Sequence, residues 1–182
     1  MKEVEKLATE TRDQIQERNR ELDDGVFAAT SDPWEPLVAP AHEPVAPHLN
    51  FAPLDDAADA LSRAGDRYDK AFTKVQANGG ASFGKSDVGT LNATLRQTER
   101  ALTAANGLPR RPWYRHLVYA PGFYTGYGVK TLPGVREAIE QKNWKEAEQQ
   151  IGAAAQVLTA AAGVISQAAE QVDKLAVADP PR

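Results

Sequence analysis

The stretch IGAAAQVLTAAAGVISQAAEQV, residues 151–172, has the clearest structural pattern in the chain. A large apolar residue recurs at every seventh position, and a pair of alanines follows each of the first three after two intervening residues. The large residues are Ile151, Leu158, Ile165 and Val172, and the pairs are Ala154–Ala155, Ala161–Ala162 and Ala168–Ala169. This heptad spacing predicts a long central helix whose small residues let neighbouring helices, of the same chain or of a second copy, approach closely. Interspersed polar residues favour a core helix of a water-soluble protein over a membrane span.

Three further segments carry apolar residues at helical spacing, and a short helix, VREAIEQK, precedes the long one. A first helix is predicted over residues 1–25, a second from residue 54 to about 76, and a third from about 86 to 102. The predicted buried face of the second helix consists of Leu54, Ala58, Leu61, Gly65, Tyr68, Phe72 and Val75. No segment alternates convincingly as a strand would, so the sequence predicts an all-α, four-helix-bundle-like domain.

The region between the first two helices, residues 26–53, is rich in proline. Six prolines lie between positions 33 and 53, and proline disfavours helix because it lacks an amide donor. We therefore predict an extended connection, and we expect its apolar residues Trp34, Leu37, Val38 and Phe51 to hold it against the domain; a flexible linker is the alternative. Residues 1–182 are predicted to form a single domain, with the remaining helices and a loop in residues 54–182.

Composition and charge exclude several classes of function. The net charge of -4 argues against nucleic acid as a main partner. The chain has no cysteine, and its charged N-terminus cannot be a signal peptide or membrane anchor, so we expect no membrane contact by this chain. The three histidines, His42, His48 and His116, lack the spacing of a metal site. We expect this chain alone to be non-catalytic and to bind no metal.

Basic residues cluster in GLPRRPWYRHLVY, residues 107–119. Arg110, Arg111, Arg115 and His116 surround Trp113 and Tyr114, which is compatible with a site for an anion or a nucleic acid. The interpretation that we favour is that the arginines pair with acidic residues of the helices and that Trp113 packs in the core.

The next segment, YAPGFYTGYGVKTLPG, residues 119–134, places aromatic residues where a helical protein has little structural use for them. The segment contains four aromatic residues interspersed with glycines, and it also contains Pro121 and Pro133. The aromatic residues are Tyr119, Phe123, Tyr124 and Tyr127. We predict an irregular aromatic and glycine-rich loop.

Together, these residues resemble the C-terminal dimerisation domain of the transferrin receptor and glutamate carboxypeptidase II group. The family pattern is G-L-P-x-R-P-[FWY]-[FY]-R-H-[VL]-[VI]-Y-A-P, then a loop, then a P-G pair that opens a helix. The matching residues are Gly107, Leu108, Pro109, Arg111, Pro112, Trp113, Tyr114, Arg115, His116, Tyr119, Ala120, Pro121, Pro133 and Gly134.

The resemblance implies a non-catalytic, homodimerising helical domain that follows a zinc peptidase domain interrupted by a protease-associated domain. The parent protein would be a zinc-dependent carboxypeptidase or dipeptidase-like hydrolase outside the cytoplasm, whether periplasmic, secreted or membrane-anchored. The expected partners are a second copy and the other domains of the same polypeptide, with zinc held by the peptidase domain.

The resemblance also implies a role for the loop. In glutamate carboxypeptidase II the corresponding loop reaches the peptidase domain, where a lysine–tyrosine pair binds the terminal glutamate of the substrate. The tyrosine corresponds to Tyr127, with Tyr124 nearby, whereas Gly126 replaces the lysine. The resemblance therefore leaves open both a parent with a strict preference for glutamate and a parent that acts on other peptides. The alternatives are that Tyr127 packs against its own bundle, or that the chain is a stand-alone helical module that holds a peptide or glycan with this loop.

Overall fold

The computed structural model of the chain describes residues 2–30, 32, 34, 38–77, 85–124, 126 and 128–177. In chain order the elements are α1 (Lys2–Asp23), α2 (Val26–Ala29), α3 (Ala52–Ala77), α4 (Lys85–Leu95), α5 (Gln97–Ala101), β1 (Tyr119–Pro121), β2 (Val129–Thr131), α6 (Pro133–Glu140) and α7 (Trp144–Val177). This mostly helical architecture confirms the predicted fold class. Three features differ from the prediction: the short helix α2 lies in the segment predicted to be extended, the third helix is divided at Arg96 into α4 and α5, and the loop contains a short β-ribbon.

Helix α7 is the centre of the domain, and α3, α4, α5 and α6 all pack against it. The heptad prediction is confirmed for Ile151, Leu158, Val172 and all three alanine pairs, which are buried, whereas Ile165 is half-buried. By length and composition, α7 is the one helix among the described residues that meets the criteria for a membrane span, but the core helix of a water-soluble protein meets them too.

Helix α3 runs parallel to α7. Near their N-terminal ends, Leu54 and Ala57 share an apolar cluster with Ile151 and Ala154. Near their C-terminal ends, Ala71 and Val75 share a second cluster with Ala168 and Val172. The two helices therefore have the same direction and the same seven-residue repeat, with small residues from each helix in their shared clusters.

The buried face of α3 lies to one side of the predicted one. Its buried residues are Leu54, Ala57, Ala64, Ala71 and Val75, whereas the side chain of Phe72 is 37% exposed. The reason is that the alanine face of α7 accepts the alanines of α3, and this close approach leaves the large ring of Phe72 at the edge of the contact. Phe72 stacks instead on Tyr68, with ring centroids 6.1 Å apart.

The Pro-rich connection lies against the domain, as predicted for Phe51 but not for Trp34 or Val38. Trp34 and Val38 are each 92% exposed, so the expectation that they pack inward is wrong, and Leu37 lies outside the described residues. The prediction is confirmed for Phe51, which packs against the main apolar cluster together with Leu49, and Ala46 is buried as well.

Helix α1 is attached to this connection by one reciprocal pair of hydrogen bonds. The Asn19 side chain donates to the carbonyl of Glu43 at 2.7 Å and accepts from the amide of Glu43 at 2.9 Å. The pairing satisfies a backbone donor and acceptor of an extended segment that has no strand partner of its own. It therefore fixes the position of the connection along α1.

Candidate functional site

The aromatic loop is a β-hairpin-like ribbon at its base. Strands β1 and β2 are antiparallel, with Tyr119 opposite Thr131 and Pro121 opposite Val129. Beyond the strands, the amide of Gly122 donates to the carbonyl of Gly128 at 2.8 Å. The paired ends fix the base of the loop on the domain.

The two faces of the ribbon differ in polarity because successive side chains of a strand point to opposite sides. On the inner face, Ala120 is fully buried and Lys130 pairs with Glu140 of α6. On the outer face, Tyr119, Pro121 and Val129 are exposed. The ribbon therefore presents an apolar surface to its surroundings.

A buried ion pair ties the start of the loop to the domain. The Arg111 guanidinium donates to both carboxylate oxygens of Glu137 on α6, at 2.7 and 2.8 Å, and to the carbonyl of Pro121 at 2.6 Å. The Glu137 carboxylate also accepts the amide of Phe123 at 2.8 Å. The Glu137 side chain is only 1% exposed, so a single buried carboxylate holds both the arginine and the loop backbone.

The aromatic tip rests on the two arginines. The guanidinium carbons of Arg110 and Arg111 lie 5.9 and 5.7 Å from the centroid of the Phe123 ring, within the range of a cation–π contact. The Tyr124 ring meets Phe123 edge-on, with centroids 4.9 Å apart and an interplanar angle of 90°. Tyr124 itself is 68% exposed, so its phenolic hydroxyl is available to a partner.

The prediction that the arginines pair with acidic residues of the helices is confirmed for two of them. Arg110 donates a bidentate pair of hydrogen bonds to the Glu146 carboxylate of α7, at 2.8 and 3.0 Å, and these hydrogen bonds raise the pKa of Arg110. Arg111 pairs with Glu137. The charges of Arg110 and Arg111 are therefore balanced by carboxylates of the same domain.

The accompanying prediction that Trp113 packs in the core is wrong, since Trp113 is 77% exposed. It lies in a turn in which the amide of Tyr114 donates to the carbonyl of Arg111. The turn directs Trp113 outward, while Tyr114 packs against the buried Leu108 and Leu117.

The other predicted motif residues have structural positions around the ribbon. The imidazole Nδ1 of His116 accepts the amide of Tyr119 at 3.3 Å, and the two rings lie 3.9 Å apart. Arg115 is exposed, and its carbonyl accepts the amide of Ala104 at 2.9 Å. Pro133 and Gly134 are buried in the first turn of α6. These residues shape the base of the loop.

The resemblance assigns the substrate contact to Tyr127 and replaces its neighbouring lysine with Gly126. Tyr127 lies outside the described residues, so its assignment stays a prediction. Gly126 is exposed with a φ of +65°, a left-handed backbone conformation that glycine adopts without strain. Its amide donates to the carbonyl of Gly122 at 3.2 Å.

Sequence reasoning missed Glu137. It lies in the short segment VREAIEQK among apolar residues, and a glutamate on a helix is most often solvated. The available signal was its position between Val135, Ala138 and Ile139, which places it on the buried side of α6. Among the described residues, no group of three or more His, Asp or Glu side chains is arranged to hold a metal ion.

Comparison with known proteins identifies the family. Residues 49–166 match the model of the transferrin receptor-like dimerisation domain. Because this match covers more than half of the chain, the chain belongs to that family.

Two curated relatives are named as peptidases. A probable glutamate carboxypeptidase of Arabidopsis thaliana is 43% identical over 75 residues, which are 37% of this chain and 11% of the relative. A probable glutamate carboxypeptidase of Arthroderma benhamiae is 41% identical over 76 residues, which are 42% of this chain and 10% of the relative. The matched region thus spans about a tenth of each of these relatives.

Proposed function

We propose that the chain is the non-catalytic homodimerisation domain of a zinc-dependent, glutamate carboxypeptidase-like peptidase. The family match and the names of the two relatives support a dimerisation domain with a peptidase parent. Zinc and the catalytic groups then belong to a peptidase domain elsewhere in the parent polypeptide, which also carries the protease-associated domain.

We further propose that the loop of residues 119–131 helps to complete the substrate pocket of the adjacent peptidase domain. The observation that carries this proposal is a loop that is firmly anchored and yet exposes Tyr119, Tyr124 and Val129. Large apolar side chains that are exposed close to one another on a protein surface often mark an interaction site. In this arrangement Tyr124 and Tyr127 supply phenolic hydroxyls as hydrogen-bond donors to a substrate carboxylate.

The charged side chains around the ribbon indicate which C-terminal residues the parent peptidase could accept. Gly126 carries no side chain, and Lys130 is held by Glu140. Arg110 and Arg111 are likewise paired with Glu146 and Glu137. The described part of the loop therefore offers hydroxyl groups and apolar surface rather than an available cation, which favours a parent that accepts C-terminal residues other than glutamate.

Light scattering coupled to size exclusion over a dilution series tests the self-association. We expect a dimer that persists into the low micromolar range, because a dimerisation domain carries its contact surface in its own residues. A strict monomer at every concentration would contradict this proposal for the isolated chain. It would favour the alternative, a stand-alone helical module that holds a peptide or glycan against the exposed aromatic loop.

The pocket role is tested by Tyr127→Phe in the parent peptidase. The substitution removes one hydrogen bond to a charged carboxylate, so we expect KM to rise roughly 10-fold or more, with a smaller change in kcat. Steady-state kinetics on a panel of peptides with different C-terminal residues measures the effect. Tyr114→Phe is the matched control, since Tyr114 packs within the domain, and it should leave KM unchanged. An unchanged KM in Tyr127→Phe would mean that Tyr127 packs against its own bundle.

A further inference from the structure

The buried pair Arg111–Glu137 has an arrangement that core stability does not require. A buried ion pair is costly to desolvate, and apolar residues of similar volume are often as stable or more stable in its place. The side chains of Arg111 and Glu137 are 8% and 1% exposed, so both pay this desolvation cost. Because stability alone does not explain this buried pair, its role is to be sought in the other groups that Arg111 and Glu137 bind.

Those other groups are backbone atoms of the loop. The Arg111 guanidinium donates to the carbonyl of Pro121, and the Glu137 carboxylate accepts the amide of Phe123. Pro121 is the last residue of β1, and the backbone beyond it leaves the ribbon. Polar backbone groups in partly buried surroundings need partners, and here the ion pair supplies both.

From Phe123 the contacts continue to the exposed tip. The Arg111 guanidinium lies over the face of the Phe123 ring, and Phe123 in turn supports the edge of the Tyr124 ring. Tyr124 is thereby linked to helix α6 through a series of contacts that runs from Glu137 to the Phe123 amide and ring and then to Tyr124. Arg110 also lies over the Phe123 ring, but within this series only Glu137 and Arg111 bind the loop backbone.

We propose that Arg111 and Glu137 are positioning residues that fix the orientation of the segment Phe123–Tyr124. Neither residue touches substrate; both act through the loop backbone. That this orientation matters for substrate binding rests on the proposed pocket role of the loop. The inference extends that role from the exposed Tyr124 to a buried pair that determines the direction of its side chain.

The first test uses the 182-residue chain and the double variant Arg111→Met/Glu137→Leu. Removing both charges avoids an unpaired buried ion, so the variant should keep a thermal midpoint near that of the wild type. The Phe123 amide loses an acceptor that is charged, and its hydrogen exchange, measured by NMR, should become about 10- to 100-fold faster.

The matched control is Arg110→Met/Glu146→Leu. This variant removes the other ion pair beside Phe123 but keeps the Glu137 acceptor, so exchange at Phe123 should stay within about threefold of the wild type. If hydrogen exchange at the Phe123 amide were unchanged in the Arg111/Glu137 variant, the positioning proposal would be overturned. This outcome does not depend on the kinetics of the parent enzyme.

The second test places the Arg111/Glu137 double variant in the parent peptidase. We expect KM to rise about tenfold with a smaller change in kcat, because the segment Phe123–Tyr124 is no longer held in the bound orientation. A released loop with unchanged kinetics would overturn the pocket role of the loop and leave the anchoring by Arg111 and Glu137 intact. The two proposals can therefore fail separately.

Discussion

Replacing Gly107 by alanine is expected to destabilise the domain by roughly 2–5 kcal/mol. Gly107 has a φ of +61°, and a Cβ added there would lie 2.2 Å from the carbonyl oxygen of Pro112 and 2.7 Å from its carbonyl carbon. The obstacle is backbone, and the turn is held by a hydrogen bond from the Leu108 amide to the Tyr114 carbonyl. Urea unfolding followed by circular dichroism measures the loss of free energy.

Gly25→Ala is the matched control, because it isolates the backbone strain. Gly25 has a φ of +72°, and an added Cβ would meet no atom within 4 Å. Only the cost of the left-handed conformation remains, about 1–2 kcal/mol. Equal losses in the two variants would show that the contact with Pro112 relaxes without cost and that the steric argument is wrong.

Ala161→Leu should have an effect of similar size, a loss of about 1–3 kcal/mol or more. Ala161 is fully buried on the face of α7 that carries the alanine pairs, and packing in a protein interior leaves no room for three further heavy atoms. The added side chain has to separate α7 from the helices packed on it. Thermal and urea unfolding of the variant would measure the effect.

The adjacent residue provides the comparison. Ala160 is exposed on the same helix, and leucine and alanine differ little in helix propensity, so Ala160→Leu should change stability by less than about 0.5 kcal/mol. If both variants were equally stable, the alanine face of α7 would not be in close contact with its neighbours, contrary to the parallel packing described for α3 and α7.

The central helix and its buried face were predictable because seven-residue periodicity is a local property. Ile151 and Val172 identify the same face of the helix whatever packs on it. The face of α3 was not predictable in the same way. Large residues such as Tyr68 and Phe72 form one row along α3, and its alanines form a neighbouring row with the same spacing. Which of the two rows is buried depends on the helix that packs against α3.

The exposed tryptophans show a second limit of sequence reasoning. A large apolar residue is usually buried, and that expectation fails for Trp34 and Trp113 because each lies in a turn whose backbone sets the direction of the side chain. The β-ribbon was missed because its strands are only three residues long and their pairing depends on contacts distant in sequence. Arg111 was singled out as a motif residue, but its partner Glu137 lies 26 positions away.

The packing of α1 determines which N-terminal boundary a recombinant form of this domain needs. The family match begins at residue 49, yet Val4 is buried in the same cluster as Leu54 and Ile139, and Glu3 pairs with Arg136 of α6. The first helix thus covers apolar surface that belongs to the matched region. A shorter piece that starts at residue 49 would leave this surface open to water and prone to aggregation. Recombinant boundaries drawn from the family alignment would remove a structural part of the domain.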